Sequence, residues 1–351
     1  MNLEILDSSA FGQWNDFLNQ HPLGTIYHSV EWLRIIEKTY GYKPLILVRY
    51  DETGRISAGI AGSIVCSKLQ GKRFSSIPCA QQANPLVSDH ESILSIFKDI
   101  EQTLKNLDLG SCEIKMDRSV LDEECAVLKA PNRDYCTYIL SLDEPFELLK
   151  KRFHKDCILR AVAKAKKLGV QVVEASSNSD IEIFYRLHTE QRKTDGLLPQ
   201  PLTFFKNLWN TLYEKKAVEM FHAVFNGDVI STILLIKSKN MVTYEYGATK
   251  TGKKYLNPSP LLLQYAIEKA SIAGFAFFDF GRCSMDDSGL KVFKARWGAI
   301  PKQLFYYSFP AYSVPQIRKE SFLKIIMSLV VRNSPMQFNV FLGKLLYKHF
   351  I

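Results

Sequence analysis

One stretch in the second half of the chain, residues 241–298, carries polar side chains inside apolar runs, the usual setting for a side chain that does chemistry. Asp279 lies in a short, otherwise wholly apolar run, where a lone carboxylate is costly unless it is paired. Arg282 is the obvious partner, and a structural ion pair fits as well as a catalytic role. Tyr246 stands near the end of the run Val242–Ala248, where its hydroxyl either meets a substrate or packs in the core.

The hydrophobic pattern predicts the elements that position these side chains. Val242–Ala248 alternates like a strand, and a lysine-containing loop, Lys250–Lys254, follows it. Ser259 is the predicted N-cap of a helix with Pro260 at its first position. Phe275–Phe280 has the composition of a buried central strand, and a short helix is predicted at Phe293–Gly298. The predicted order is strand, basic loop, helix, buried strand, polar loop and short helix.

Length and charge bound the class of protein. A chain of 351 residues with 46% hydrophobic residues is long enough for two domains with sizeable cores. The net charge of +9 fits either scattered basic patches or an anionic partner, such as phosphate groups, anionic lipid, a cell-wall precursor or RNA.

Cysteine and histidine spacing argues against a disulfide framework and a metal site. The 7 cysteines are scattered and form no CxxC, so we expect reduced thiols in the cytosol. The 7 histidines show no HxxxH or HExxH, so we expect no metal.

The sequence shows no targeting or membrane-spanning segment. Its N-terminus lacks the basic region followed by an apolar region that is typical of a signal peptide. It also contains no run of about 18 apolar residues, which a spanning helix would need.

Two hairpins suggest an internal repeat. Each hairpin consists of an apolar strand, an acidic turn that contains glycine, and a second strand. The two sequences are LILVRYDETGRISAGIAGSIV and MFHAVFNGDVISTILLIKS. Two helices precede each hairpin and one follows it, although any two hairpins look somewhat alike. We therefore predict an α/β protein with an N-terminal domain at 1–145, a C-terminal domain at 146–311 and a tail at 312–351.

Two segments are strongly basic. A long helix is predicted from Phe146 to Leu168, with its lysines and arginines either on a solvated face or against RNA or phosphates. In the tail, Phe322, Ile325 and Leu329 share one helical face with Lys324 at its edge. The tail either packs on the first domain or lies in the interface of an anionic membrane leaflet.

Five motifs, in order, carry a resemblance to a known family. They are EWLRIIEKTYGYKP, ILRAVAKAKKLGVQVV, FYRLHTEQRKTDG, YEYGATK with YLNPSPLLLQYAIEKA, and FFDFGR with SGLKVFKARWGA. In these motifs the chain resembles the FemAB-type branch of the GNAT acyltransferase superfamily. That branch includes peptidoglycan aminoacyl-tRNA transferases and acyl-CoA-using relatives. The resemblance implies two GNAT-like domains in tandem, with mixed β-sheets flanked by helices.

The resemblance also implies roles for particular residues. Lys294, next to Phe293, matches a lysine at the reaction centre that stabilises charge as the acyl carbonyl is attacked. The alternative is that Lys294 is a solvent-exposed lysine on a helix. Arg192 matches an arginine that binds acceptor phosphate, although a surface ion pair is the plainer interpretation. We expect the catalytic residues to be Lys294, Phe293, Tyr246 and Asp279, and the substrate-binding residues to be Arg192, Arg282, Lys254, Asn257, Ser259 and Trp32.

One departure bears on the donor. CoA-binding GNAT proteins have Arg/Gln-x-x-Gly-x-Gly/Ala before the helix, so that bare N–H groups reach the pyrophosphate. Here Asn257 replaces the first glycine, and Pro258 and Pro260 each remove an N–H. The anion cradle is therefore poorer, which weakens the case for an acyl-CoA donor without excluding it.

Together these patterns predict an acyltransferase or aminoacyltransferase that acts on an amine of a phosphate-bearing or lipid-linked cell-envelope acceptor. The co-substrate is expected to be acyl-CoA or aminoacyl-tRNA, with no tightly bound cofactor and no metal. We expect a cytoplasmic protein, with a peripheral membrane location left open. The alternatives are an acyl-CoA-dependent N-acetyltransferase of envelope or exopolysaccharide synthesis and a non-catalytic protein that binds anionic membrane or nucleic acid.

Overall fold

The computed structural model describes residues 3–67, 71–88, 93–117, 134–309 and 317–349. The chain forms two compact units. Unit 1 comprises Met1–Cys136, Lys302–Pro315 and Lys348–Ile351, and unit 2 comprises Thr137–Pro301 and Gln316–Tyr347. The chain therefore completes most of unit 1, builds unit 2 and returns to unit 1 for one strand.

The elements alternate between strands and helices. The first half contains β1 (Glu4–Ile5), α1 (Phe11–Gln20), α2 (Val30–Tyr40), β2 (Lys43–Tyr50), β3 (Ile56–Ser67), β4 (Gly71–Ser75), β5 (Leu86–Val87), α3 (Ile93–Asn106) and β6 (Ser111–Asp117). The second half contains β7 (Tyr135–Ser141), α4 (Phe146–Leu149), α5 (Arg160–Lys167), β8 (Gln171–Glu174), α6 (Asn178–Asp195), α7 (Leu202–Leu212), β9 (Val218–Phe225), β10 (Asp228–Ser238), β11 (Met241–Thr249), α8 (Pro258–Ile272), β12 (Phe277–Ser284), α9 (Ser288–Ala295), β13 (Ile300–Phe309), α10 (Ile317–Asn333) and α11 (Met336–Leu346).

In unit 1 the strands lie in the order β1-β2-β3-β4-β6-β13. Most neighbours are antiparallel, but β4 and β6 pair in parallel because α3 crosses between them. The apolar stripe of α3, with Ile96, Phe97 and Ile100, is buried against strand residues that include Phe74 and Ile114.

In unit 2 the order is β7-β12-β11-β10-β9-β8. The hairpin of β9 and β10 turns at Asn226 and Gly227, whose φ angles of 50° and 80° suit the residue types at this two-residue turn. β11 and β12 pair in parallel, and α8 connects them.

The two units repeat one plan. Unit 1 runs β1-α1-α2-β2-β3-β4-α3-β6, with β5 inserted, and unit 2 runs β8-α6-α7-β9-β10-β11-α8-β12. In each, the strands before and after the crossover helix are the parallel pair. The predicted tandem α/β architecture is therefore confirmed, and the likeness of the two hairpins reflects a matching position in each unit.

The predicted long helix from Phe146 to Leu168 is wrong. α4 gives way to a 3₁₀ turn at Lys150–Arg152, the backbone becomes extended at Phe153, and a π turn at Lys155–Leu159 leads into α5. The break has two causes in tertiary structure. Phe153 packs edge-on against Trp297 with ring centroids 5.1 Å apart, and the His154 N–H donates to the Arg296 carbonyl at 2.7 Å.

The tail forms two helices that pack on α6 in unit 2, whereas the sequence left open a packing on the first domain. A Cβ on Gly343 of α11 would stand 2.2 Å from the Pro199 carbonyl oxygen, so the helix approaches the backbone closely. The side chains of Phe322 and Lys324 lie outside the described residues. No helix in the part of the chain that the structure describes is long and apolar enough to cross a membrane.

Candidate active site in unit 2

The parallel strands β11 and β12 separate at the centre of unit 2. Their register is Met241↔Phe277, Val242↔Phe278 and Thr243↔Asp279, and beyond the last pair the strands continue to Thr249 and Ser284. On its other side, β11 shifts register against β10 between Tyr244 and Tyr246, which makes Glu245 the additional residue of a β-bulge. Backbone groups of β11 past Thr243 thus lie outside the ladder with β12, where a bound group can reach them.

Asp279 is fully buried on β12, and it stabilises a bend in the same strand. Its carboxylate accepts hydrogen bonds from the hydroxyl of Thr137, on β7, and from the Gly281 N–H at 2.8 Å. Gly281 has a φ of +76°, in the left-handed region that favours glycine. A buried carboxylate needs such donors, because an unpaired charge in the interior is costly.

Lys294 completes this arrangement from α9. Its side chain is buried, with 2% of its surface exposed, and its ammonium donates to the Gly281 carbonyl. Asp287 caps the start of α9 by accepting from the Leu290 N–H at 2.9 Å. We call Thr137, Asp279, Gly281 and Lys294 the Gly281 network.

An aromatic cluster around Trp297 holds α9 next to β12. Trp297 is fully buried, and its ring lies 5.9 Å from that of Phe280 on β12. Phe293, predicted as the partner of Lys294, is half-buried and meets Trp297 edge-on at 6.4 Å. Phe293 therefore supports the position of α9, and with it the position of Lys294.

Tyr246 lies on β11, next to the bulge. Its hydroxyl accepts a hydrogen bond from the Gln200 side chain at 2.8 Å, and its half-buried ring meets Phe205 at 5.2 Å and His188 at 5.8 Å. The ring therefore packs in an aromatic cluster and its hydroxyl is bound by a polar side chain, whereas a contact of this hydroxyl with a substrate stays a prediction.

His188 and Gln200 were not predicted. His188 is 4% exposed, its ring stacks on Phe184 at 5.7 Å, and its Nε2 has no hydrogen-bond partner among the described residues. Burial, with a smaller effect of the Arg192 charge, lowers the pKa of His188 to about 3, so the imidazole is neutral. The signal available in the sequence was the spacing of His188 and Arg192, one helical turn apart on α6.

Arg192 lies in the last turn of α6. It is half-buried, and its Nε donates to the Leu198 carbonyl at 3.0 Å. That bond fixes the guanidinium across the C-terminal end of the helix.

The loop before α8 differs from its prediction. The N-cap of α8 is Asn257, with a φ of 53°, and not Ser259, so Pro258 is the first helical residue. Asparagine tolerates the left-handed conformation, which allows the helix to begin two residues earlier. The Ser259 hydroxyl instead shares a hydrogen bond with Thr249 at 2.8 Å, which joins α8 to the end of β11. Lys254 is exposed in the preceding 3₁₀ turn.

Arg282 and Trp32, both predicted to bind substrate, lie in different surroundings. Arg282 is exposed on β12, three residues after Asp279, whose carboxylate accepts from Thr137 and Gly281, and its substrate-binding role stays a prediction. Trp32 is fully buried in unit 1, where its Nε1 donates to the Pro78 carbonyl at 3.4 Å. The indole therefore packs in the interior of unit 1, and the substrate-binding role of Trp32 stays a prediction.

Metal-binding groups are not gathered in the described ranges. No cluster of three or more His, Cys, Asp or Glu side chains with metal-binding geometry occurs among them, and the cysteines described there form no disulfide.

Comparison with known proteins gives three findings. Residues 152–294 match the family model described as an acetyltransferase (GNAT) domain. The chain is 20% identical over 317 residues, 83% of its length and 90% of the relative's, to the UDP-N-acetylmuramoylpentapeptide-lysine N(6)-alanyltransferase of Weissella viridescens. The crystal structure of FemX matches with a TM-score of 0.71 at 16% identity, over 93% of this chain and 100% of that one.

Two other solved structures share the fold. L-PGS from Bacillus licheniformis matches with a TM-score of 0.54 at 10% identity, covering 94% of this chain and 99% of that one. A tandem GNAT protein from the clavulanic acid biosynthesis pathway matches with a TM-score of 0.53 at 13% identity, covering 87% and 98%. These likenesses confirm the tandem fold that the resemblance implied.

Proposed function

We propose that this chain, a GNAT-type acyltransferase with the tandem fold of the FemAB branch, transfers an aminoacyl group to an amine of a peptidoglycan precursor. The observation that carries the proposal is the Gly281 network, in which a buried ammonium and a buried carboxylate hold one glycine at the place where β11 and β12 separate. The alanyltransferase relative from Weissella viridescens supplies the class of transferred group and of acceptor.

The reaction is a direct transfer. The neutral acceptor amine attacks the ester carbonyl of the donor, a C–N bond forms and the C–O ester bond breaks. The proton lost by the amine ends on the hydroxyl of the leaving group. The chain has to stabilise the negative charge that develops on the carbonyl oxygen, and fixed donors do this best where water is excluded.

Lys294 is the residue we assign to that charge. Its ammonium is already desolvated and held by the Gly281 carbonyl, so little reorganisation is needed when the charge develops. Because the Lys294 side chain is only 2% exposed, it can contact a substrate only if the donor carbonyl enters between β11 and β12. Backbone N–H groups of β11 near the bulge are the second set of donors in this proposal.

The start of α8 favours aminoacyl-tRNA over acyl-CoA as the donor. A CoA pyrophosphate binds to N–H groups at the first turn of the helix after the splayed strand. In α8 that turn begins at Pro258, and Pro260 follows two residues later, so two of its first three residues have no N–H. An ester donor that does not present a pyrophosphate to this turn is not affected by the loss.

Arg192 is assigned to the phosphate of the acceptor. Its Nε is fixed by the Leu198 carbonyl, and the two terminal nitrogens are the planar fork that suits a phosphate. Nucleotide-linked and lipid-linked precursors share this chemistry, so the assignment does not choose between them.

The test is a side-by-side assay of donors. The purified full chain is incubated with UDP-N-acetylmuramoyl-pentapeptide and either alanyl-tRNA or acetyl-CoA, and the mass of the acceptor is followed. We expect the acceptor to gain an alanyl group from the tRNA and no acetyl group from CoA. Acetyl transfer with no aminoacyl transfer would replace this proposal by an acyl-CoA-dependent N-acetyltransferase, the function that the family model names.

A further inference from the structure

We propose that the outward face of the two tail helices binds an anionic lipid surface. The face, called the tail surface, consists of Ile325, Ile326, Leu329 and Val330 on α10 and Phe338, Phe341 and Leu345 on α11. Phe341 is 60% exposed and Ile325 is 58% exposed, fractions that are unusual for side chains of this size. Apolar side chains clustered on adjacent helices mark an interaction surface.

Among the described residues, the faces of the two helices that are fully buried are the opposite ones. The opposite face of α10 holds Val331, which is 1% exposed, and the opposite face of α11 holds the buried Asn339. Asn339 donates to the Val331 carbonyl at 2.7 Å, which locks the two helices together. Gly343 lies directly against the Pro199 carbonyl, so α11 cannot turn to bury its outer face without losing this contact.

The excess of basic residues in the tail favours an anionic partner. Between residues 317 and 349 the sequence has one acidic residue, Glu320, against the basic residues Arg318, Lys319, Lys324, Arg332, Lys344 and Lys348. Lys344 and Arg332 are exposed, and Lys344 follows Phe341 by one helical turn, at the edge of the apolar stripe. An apolar face with a basic edge suits an anionic leaflet, because basic residues near the surface are attracted by the anionic headgroups.

A second copy of the chain is the less suitable occupant. In a two-fold dimer through the tail surface, both copies would bring the same basic edge, with Lys344 and Arg332, to one interface. Like charges facing each other oppose association, whereas anionic headgroups would neutralise both.

The geometry fits a helix pair that lies in the membrane interface. α10 has 17 residues and α11 has 11, and no described helix meets the requirements for a spanning segment. Helices of this kind insert their apolar face about 5–10 Å into the boundary between headgroups and acyl chains. This inference goes beyond the proposed function, because lipid binding is measured without any substrate.

The test uses sedimentation of the full chain with vesicles. Vesicles of equal parts phosphatidylglycerol and phosphatidylcholine are compared with vesicles of phosphatidylcholine alone, at low and high salt. The variant Phe338→Ser/Phe341→Ser/Leu345→Ser is expected to lower the partition coefficient for anionic vesicles by about tenfold or more. The matched control, Ile5→Ser/Leu168→Ser/Ile272→Ser, removes apolar side chains that are exposed elsewhere and should bind as the natural chain does.

Charge reversal gives a second, independent measurement. Lys344→Glu should weaken binding to anionic vesicles by several-fold while leaving the circular dichroism spectrum unchanged. The proposal is overturned if the intact chain does not sediment with anionic vesicles at low salt, or if the triple tail variant binds as well as its control. It is also overturned if light scattering shows a dimer that the tail variant converts to monomer without vesicles, since a second copy would then occupy the tail surface.

Discussion

Asp279 and Lys294 bind opposite groups of one residue: the Gly281 N–H donates to the Asp279 carboxylate, and the Gly281 carbonyl accepts from the Lys294 ammonium. Both charged side chains are buried, at 0% and 2% exposure. A displacement of Gly281 therefore moves the hydrogen-bond partner of Lys294. The free-energy effects of substitutions at Asp279 and at Lys294 should for this reason not be additive.

The Thr137 hydroxyl is the second donor to Asp279, and its loss should be felt at the site. Thr137→Val keeps the side-chain volume but removes this hydrogen bond to a charged acceptor, which should cost about 1.5–3 kcal/mol of unfolding free energy. Turnover should fall by about tenfold or less, because the Gly281 N–H still holds the carboxylate. Urea unfolding and steady-state kinetics give the two quantities.

Thr232→Val is the control for that change. Thr232 is equally buried, on β10, and shares a hydrogen bond with His222 at 3.0 Å, outside the Gly281 network. It should lose stability without losing turnover. Equal losses of turnover in the two variants would mean that the Thr137 effect is a general one on stability.

Gly281→Ala tests the backbone at the centre of the network. A Cβ at a φ of +76° is strained, so we expect a loss of about 1–2 kcal/mol of unfolding free energy. The Gly281 carbonyl, which accepts from Lys294, should also shift. Turnover should therefore fall by more than the decrease in the folded fraction accounts for. Gly274→Ala, at a φ of 80° with open space around its Cα, should show the stability loss alone.

The buried His188 predicts a pH dependence of stability. Its folded pKa is lowered to about 3, mainly by burial, against about 6.5 in the unfolded chain. Below pH 6.5 the unfolded chain therefore binds a proton that the folded chain does not, and stability falls as the pH falls towards 3. One group shifted in this way contributes a loss of about 2 kcal/mol between pH 7 and pH 5.

His188→Phe isolates this effect, because phenylalanine fits the aromatic cluster and does not titrate. The variant should lose about 2 kcal/mol less than the natural chain over the same pH range, as measured by urea unfolding at each pH. His222, whose pKa is also lowered by burial, is present in both proteins and cancels in the comparison. Parallel pH profiles would show that His188 is not the group responsible.

The periodic parts of the fold could be predicted from the sequence. The strand-turn-strand pattern before Gly227 and after it, and the apolar run around Asp279, depend on local hydrophobicity and turn residues, and both form strands. The strand around Asp279 begins two residues later than predicted and continues to Ser284, through the residues predicted to open a polar loop. The tandem repeat followed from the order of the elements around the two hairpins.

Features set by distant contacts could not be predicted in this way. Phe153 breaks the predicted helix because of Trp297, and Asp279 takes its hydroxyl donor from Thr137, a residue 142 positions away. The backbone donor of Asp279 is the Gly281 N–H, which depends on the left-handed conformation of Gly281 and not on a side chain near in sequence. The interior position of Trp32 likewise depends on how unit 1 folds around it.

The most direct test of the account is the rate of acyl transfer after Lys294→Met. Methionine fills the space without an ammonium, so turnover should fall by about 100- to 1000-fold if Lys294 stabilises the developing charge. Lys291→Met is the matched control, because Lys291 lies on the same helix and also donates to a backbone carbonyl, that of Met285 at 2.7 Å. Both variants should keep the acceptor affinity of the natural chain, and Lys291→Met should keep its turnover. A folded Lys294→Met protein that transfers the aminoacyl group at the natural rate would contradict the account.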